Sequence, residues 1–259
     1  MALVIRSALI VTTLRAAGCV FAEDEARLLL GAAESPEELA GMVEQRVNGL
    51  PLEHIIGWAE FCGLRMAVDP GVFVPRRRTE FLVRQAAAIA KPGAVVVDLC
   101  CGSGAVGAAL SELVGGLELH AADIDTVAVR CARRNVEARG GQVHQGDLYR
   151  ALPGHLRRRV DVLVVNAPYV PTGSIDMMPP EARLHEPLVA LDGGADGLAV
   201  QRRVALDARD WLTPGGSLLI ETSRRQAQAT ARILASSGLS GAVKWDNEFD
   251  ATMVLGTAP

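Results

Sequence analysis

The chain has 259 residues, of which 49% are hydrophobic, and 30 acidic side chains against 26 basic ones leave a net charge of −4 at pH 7. That apolar share fills a sizeable core and excludes a disordered chain. The acidic balance argues against a protein whose main work is sequence-independent binding to a phosphate backbone, and no apolar run reaches the ~20 residues needed to span a bilayer.

In chain order, residues from about Ile5 to Asn48 carry apolar positions at helical spacing, as in EDEARLLLGAA and SPEELAGMVEQRV. In the second segment Ser35 can cap, Pro36 can take the first helical position and Glu38 completes a capping box. The run ALIVTTLRAAGC, ending at Cys19, has a faint likeness to a lipoprotein signal. Its apolar part from Ser7 to Leu14 is short, Arg15 interrupts it and only Arg6 precedes it, so no signal peptide is expected. HIIGWAEFCGLRMAVDPGVFVP then alternates like a strand around Gly63, with a turn at Pro70-Gly71, and predicts a hairpin linker.

From Ala94 onward strand and helix signals alternate. AVVVDL, LELHAAD, DVLVVN and GSLLIET read as strands; AVGAALSELV, TVAVRCARRNVEARG and LAVQRRVALDARDWL read as helices; AVKWDNEFDATMVLGT closes the chain as two strands around a turn near Asn247. This βαβ alternation predicts an α/β fold with a mostly parallel sheet, covered on both faces, whose ligands bind at the carboxyl ends of the strands. The five cysteines, Cys19, Cys62, Cys100, Cys101 and Cys131, form no CxxC pair and resemble neither a disulfide framework nor a metal site. Reduced thiols in a cytoplasm are expected.

Chemistry concentrates in two places. In VVVDLCCGSGAVGAAL, Gly102, Ser103 and Gly104 lie between a strand and a helix, where missing Cβ atoms admit a ligand to the backbone and the helix start offers free N–H groups. The pattern also satisfies GxGxxG, and Asp123 follows at the offset of a ribose-binding carboxylate, so nicotinamide and S-adenosylmethionine enzymes both fit. Asp98 tilts the balance, because a carboxylate beside the loop suits a cationic amino acid end and repels a pyrophosphate. Asp147, in GDLY, is placed to meet the exocyclic amine of an adenine.

The second place is VVNAPYVPT. After a strand, Asn166 offers a side-chain oxygen and Ala167 a carbonyl held by Pro168, whose ring disfavours helix at Ala167. Two acceptors aimed at one point can hold a planar NH2 group, and Tyr169 adds a flat face for stacking. An amide or aromatic amine is a poor nucleophile, and such a clamp would turn its nitrogen toward an electrophilic methyl.

With RVNGLPLEHIIGWAEF, FVPRRRTEFLV, VVDLCCGSGAVGAAL, AADID, GDLY, VVNAPY, HEPLVALDGGADGL and LTPGGSLLIE in this order, the chain resembles the HemK-type protein-(glutamine-N5) methyltransferases. The glycine loop is generic to class I methyltransferases, whereas PRRRTEFLV and EPLVALDGGADGL are specific. The resemblance implies a class I S-adenosylmethionine-dependent fold with a mostly parallel seven-stranded sheet. It also implies a helical substrate-docking domain over residues 1–52, a hairpin linker over 53–75 and a methyltransferase domain over 76–259. The implied substrate is the glutamine of the Gly-Gly-Gln loop in peptide-chain release factors, with no metal and no membrane.

By the same resemblance Asp98, Cys100, Cys101, Gly102, Ser103 and Gly104 line the methionine end of the cofactor. Asp123 holds the ribose, Asp147 and Leu148 border the adenine, and Asn166, Ala167, Pro168 and Tyr169 hold the target glutamine, Asn166 also facing the cofactor. Pro75, Arg76, Thr79 and Glu80 pack near the cleft, Arg77 and Arg78 are solvated or touch the partner, and Glu186 and Pro187 shape a loop. The chain departs from the pattern at Cys100, where the family has glycine, and at Ala167, where it has proline, and its helical region is short, all of which mark a divergent relative. An amino-methyltransferase on a nucleic-acid base, a nicotinamide oxidoreductase and a cofactor-binding protein without turnover remain the alternatives.

Overall fold

The computed structural model describes residues 2–259. Helices α1 (Ala2–Ala16), α2 (Ala22–Ala32), α3 (Pro36–Val47) and the short α4 (Leu52–Ile56) come first. Leu14, Ala22, Ala26, Leu29 and Leu52 form their shared apolar centre. At the start of α3 the Ser35 hydroxyl accepts the Glu38 amide at 3.1 Å, while the Glu38 carboxylate reaches back to the Glu34 amide at 2.6 Å. The capping box therefore closes one residue earlier than its simplest form, which pairs the glutamate with the capping residue's own N–H.

Strands β1 (Trp58–Phe61) and β2 (Leu64–Ala67) form the hairpin, turning on Cys62 and Gly63, both with positive φ. The Pro70-Gly71 turn lies beyond the hairpin and leads into Val72–Pro75. Asn135 anchors β2: it donates to the carbonyls of Ala67 and Ser103 at 2.9 and 2.8 Å and accepts the Ala67 amide at 2.9 Å. One buried amide thus ties the hairpin to the glycine loop.

The remainder runs α5 (Glu80–Ala87), β3 (Val95–Leu99), α6 (Ala105–Val114), β4 (Glu118–Asp123), α7 (Thr126–Val136), β5 (Gln142–Gln145), β6 (Val160–Val165), α8 (Pro180–His185) and α9 (Leu188–Leu191). It ends with α10 (Ala199–Trp211), β7 (Leu212–Glu221), α11 (Ala227–Ser236), β8 (Ser240–Asp246) and β9 (Ala251–Thr257). The sheet order is β5-β4-β3-β6-β7-β9-β8, parallel except for β9, which is antiparallel to both neighbours. β3, at the third position, is buried along its whole length. Its Val-rich sequence follows, since a parallel strand covered on both faces needs apolar side chains on each. Val96 belongs to the cluster under α5, α6 and α7, and Val95 and Val97 to the one under α10 and α11.

The carboxyl ends of β3, β4 and β6 converge on one edge, where the strand order reverses direction across β3 and β6. Ligands in open α/β sheets bind at such a switch point.

Candidate active site

A cleft opens at that edge, between the ends of β3, β4 and β6. Asp98, Cys100, Cys101, Gly102, Ser103, Asp123, Asp147, Leu148, Asn166, Ala167, Pro168 and Tyr169 all line it. Gly104 does not. Its φ is +75°, and a Cβ there would stand 2.7 Å from a Val136 methyl and 3.1 Å from Ala132, so this glycine seats α6 against α7 behind the loop.

The loop itself is drawn in by carboxylates. Asp123, the last residue of β4, accepts the Gly102 amide on Oδ2 and the Asp125 amide on Oδ1, both at 2.9 Å. Burial raises its pKa, and these amides oppose the rise. Asp98, 2% exposed, accepts the Gly107 amide from α6 at 2.9 Å. Burial, more than the nearby Asp123, pushes its carboxyl up to about 7. Among the described residues no lysine or arginine forms an ion pair with it. The donor set fits a ligand that brings its own cation and a pair of hydroxyls.

Cys100 adopts φ +57°, the left-handed region that disfavours a side chain. Burial, with Asp123 second, holds its thiol protonated. A left-handed non-glycine residue costs about 1–2 kcal/mol, and glycine returns about 0.5–1 kcal/mol of that as unfolded-chain entropy. Cys100→Gly should therefore stabilise the protein by up to about 1 kcal/mol, read by calorimetry as a rise of about 2–4 °C in Tm.

Farther along, Asp147 pairs with Arg203 of α10 at 2.5 Å, and the apolar Leu148 and Ile124 stand on the same wall. Neither Arg203 nor Ile124 was expected from the sequence. Arg203 sits 56 residues from its partner, and an isoleucine after a strand-ending acid carries no signal by itself.

Asn166 follows β6. Its Nδ2 faces the Thr79 hydroxyl at 3.4 Å, which leaves Oδ1 for the cleft. The Ala167 carbonyl takes no backbone N–H among the described residues. Burial, with Glu221 second, pushes the Tyr169 phenol up to about 12, so it stays protonated and donates to Glu221 at 3.4 Å. Arg78 is exposed, as expected, and also pairs with Glu221 at 3.5 Å and lies 6.0 Å above the Tyr169 ring. Glu186 accepts the Val74 amide at 3.2 Å and Arg76 at 2.5 Å, binding the β2–α5 connection to the far wall of the cleft. Glu80 accepts the Cys62 amide at 3.2 Å and braces the hairpin turn.

The glycine-rich segment after α9 clamps this turn. Val170 and Gly193 exchange backbone bonds with their neighbours: the Val170 amide reaches Leu191 at 3.1 Å, and the Gly193 amide reaches Val170 at 2.8 Å. A Cβ on Gly193 would meet the Pro168 carbonyl at 2.7 Å, and one on Gly197 the Tyr169 carbonyl at 2.3 Å. Gln226 also donates to the Tyr169 carbonyl at 3.0 Å. Gly193 and Gly197 are there because the tetrapeptide's backbone lies directly against them.

Fold, cleft and acceptor turn together define a class I methyltransferase. Residues 63–179 match the methyltransferase small domain family. A methyltransferase from Pyrococcus furiosus superposes with a TM-score of 0.57 at 16% identity, covering 75% of this chain and 89% of that one, which concerns the fold alone. A release factor glutamine methyltransferase of Geobacter sulfurreducens is 37% identical over 209 residues, 79% of this chain and 72% of the relative. A 4-amino-L-phenylalanine/4-methylamino-L-phenylalanine methyltransferase of Streptomyces pristinaespiralis is 35% identical, over 80% of this chain and 73% of the relative. The chain belongs to the release factor glutamine methyltransferase family.

Proposed function

We propose that the protein methylates the side-chain amide nitrogen of a protein glutamine, that of the Gly-Gly-Gln loop in peptide-chain release factors, using S-adenosylmethionine. The observation that carries this reading is the position of Asn166: its NH2 faces the Thr79 hydroxyl at 3.4 Å, and the residue lines the same cleft as Gly102 and Asp123. Asp98 would hold the cofactor's ammonium group, Asp123 its ribose hydroxyls, and Leu148 and Ile124 the faces of its adenine, with Asp147 at the rim. Cys100, Cys101, Gly102 and Ser103 would border its methionine end. Bound there, the cofactor supplies an electrophilic methyl on a sulfonium sulfur.

The chain's part is orientation and charge. Asn166 Oδ1 and the Ala167 carbonyl accept the two N–H bonds of the target amide and leave its nitrogen facing the methyl. As the nitrogen gains positive charge, these acceptors stabilise it, and the N–H becomes acidic enough to leave without a strong base. Pro168 fixes the turn and Tyr169, tethered through Glu221, covers the amide plane. We assign residues 1–52 to docking of the protein substrate, residues 53–75 to the linker and residues 76–259 to transfer, in the cytoplasm; among the described residues no helix is long and apolar enough to cross a membrane.

The cofactor's binding should depend on pH through Asp98. Free, its carboxyl titrates at about 7, and an ammonium partner favours the ionised form. Affinity should therefore fall as pH drops below about 7, by up to tenfold per unit, and level off above it. Calorimetric titrations from pH 5.5 to 8 check this, and Asp98→Asn should bind more weakly with a flat profile.

The deciding experiment is mass spectrometry of release factors incubated with the protein and S-adenosylmethionine, with a Gln→Ala loop variant as control. A methyl on that glutamine alone carries the proposal; cofactor binding without transfer to any release factor sinks it. The similarity to an aromatic-amine methyltransferase favours one second reading, a small aromatic amine in the same clamp, and 4-amino-L-phenylalanine is the substrate to run beside the release factors.

A further inference from the structure

Three of the chain's five histidines meet on the far side of the β4–β5 edge, away from the cleft. Glu118 and His120, two apart on β4, share one face of that strand; His144 stands on β5 beside them, and His155 lies in the turn that precedes β6. His120 is 1% exposed, Glu118 is partly exposed and His155 is exposed. His120 lies three residues before Asp123 on the strand, about 10 Å from the cofactor cleft at strand rise.

We propose that Glu118, His120 and His155 form a zinc site, with His144 orienting His120 from behind. His120 Nε2 and Glu118 Oε1 are 3.4 Å apart. Donors about 2.0–2.1 Å from a tetrahedral zinc stand about 3.3–3.4 Å from one another, so this pair already spans a tetrahedral edge. One donor atom from each of the three residues lies within 4.8 Å of the others, and His155, at the surface, closes the remaining gap by rotation. Water completes the fourth position.

The outer contacts fit the same assignment. His120 Nδ1 lies 2.9 Å from His144 Nε2, and the rings stack with centroids 5.2 Å apart. With the proton on Nδ1 donated to His144, the lone pair of Nε2 points toward Glu118. A ligating histidine is oriented in this way by an acceptor on its other nitrogen. Arg159 approaches the other oxygen of Glu118 at 3.5 Å and leaves Oε1 free; its charge counts against the metal and holds the site to moderate affinity. The ion would staple β4 to the turn before β6, at an edge where β5 is only four residues long.

The test is titration of the metal-free full chain with Zn²⁺ by calorimetry, repeated with Co²⁺ for its visible spectrum. One ion per chain is expected, with a cobalt spectrum of tetrahedral nitrogen and oxygen ligands. His155→Ala and Glu118→Gln, both at exposed or partly exposed positions, should each weaken zinc at least tenfold, and His144→Gln by about 10-fold. A hundredfold excess of zinc over its Kd should raise Tm by about 5–10 °C in the parent and not in the double variant. No uptake, an affinity unchanged in both variants, or a thiolate-to-cobalt charge-transfer band would each overturn the proposal.

Discussion

Asn166→Ala should lower the rate of glutamine methylation about 10³-fold while leaving S-adenosylmethionine affinity within a few-fold. In the proposed mechanism the side chain supplies one of two acceptors for an NH2 group whose charge rises as the N–C bond forms, and preorganised groups of that kind are worth about 10²–10³ in turnover. Losing it also frees the target amide to rotate, so the nitrogen no longer faces the methyl and the positional advantage is lost as well. The Asn166 amide is attached to Thr79 and to no residue of the glycine loop, so its removal leaves the loop's hydrogen bonds with Asp123 and Asp98 in place. Asn166→Asp separates geometry from charge: the oxygen remains, the bond from Nδ2 to Thr79 is lost and an anion faces the cleft. Single-turnover rates beside calorimetric affinities measure both. Equal loss of cofactor affinity and rate in Asn166→Ala would remove the assigned role.

Asp123→Ala should do the reverse, raising the Kd for S-adenosylmethionine about 10²-fold or more before any change in the chemical step. Hydrogen bonds to a charged group are worth about 1.5–3 kcal/mol, and two ribose hydroxyls would meet this carboxylate. The substitution also releases the Gly102 and Asp125 amides, which Asp123 holds at 2.9 Å, so the glycine loop loses its anchor. Asp123→Asn distinguishes the two contributions, because its Oδ1 can keep one loop amide while the charge is gone. At saturating cofactor the turnover of Asp123→Asn should lie within about tenfold of the parent. A Kd that does not move would show that the ribose is held elsewhere.

Much of this fold is legible in one dimension. The β-branched runs at β3 and β6 and the amphipathic α7 and α10 declare themselves, because a strand buried on both faces must be continuously apolar and a covering helix must carry one apolar stripe. The acid at the end of β4, 21 residues after Gly102, is likewise a matter of chain spacing. β5 is different: Gln142–Gln145 has a single buried apolar residue, Val143, since an edge strand is covered on fewer sides. α11 is equally quiet, with alanines, a threonine and a glutamine along much of its length.

What the residues determined by themselves was the set of groups that line the cleft from strand ends: Asp98, Asp123, Asp147 and the turn from Asn166 to Tyr169. Asp98 is the penultimate residue of β3 and Asp123 the last of β4, Asp147 and Asn166 come just after β5 and β6, and alternation fixes where each strand stops. Only the tertiary structure decided what holds them. Glu221 under Tyr169, Arg78 over it and paired with Glu221, Arg203 on Asp147, Glu186 across to Arg76 and the glycines beneath Pro168 and Tyr169 come from separate elements, some of them more than 100 residues apart in the chain. The same holds for the meeting of His120, His144 and His155. A carboxylate or imidazole announces a local chemistry through its type, but its partner is chosen by which loops the sheet order brings to one edge, and that order is set by how buried faces pack.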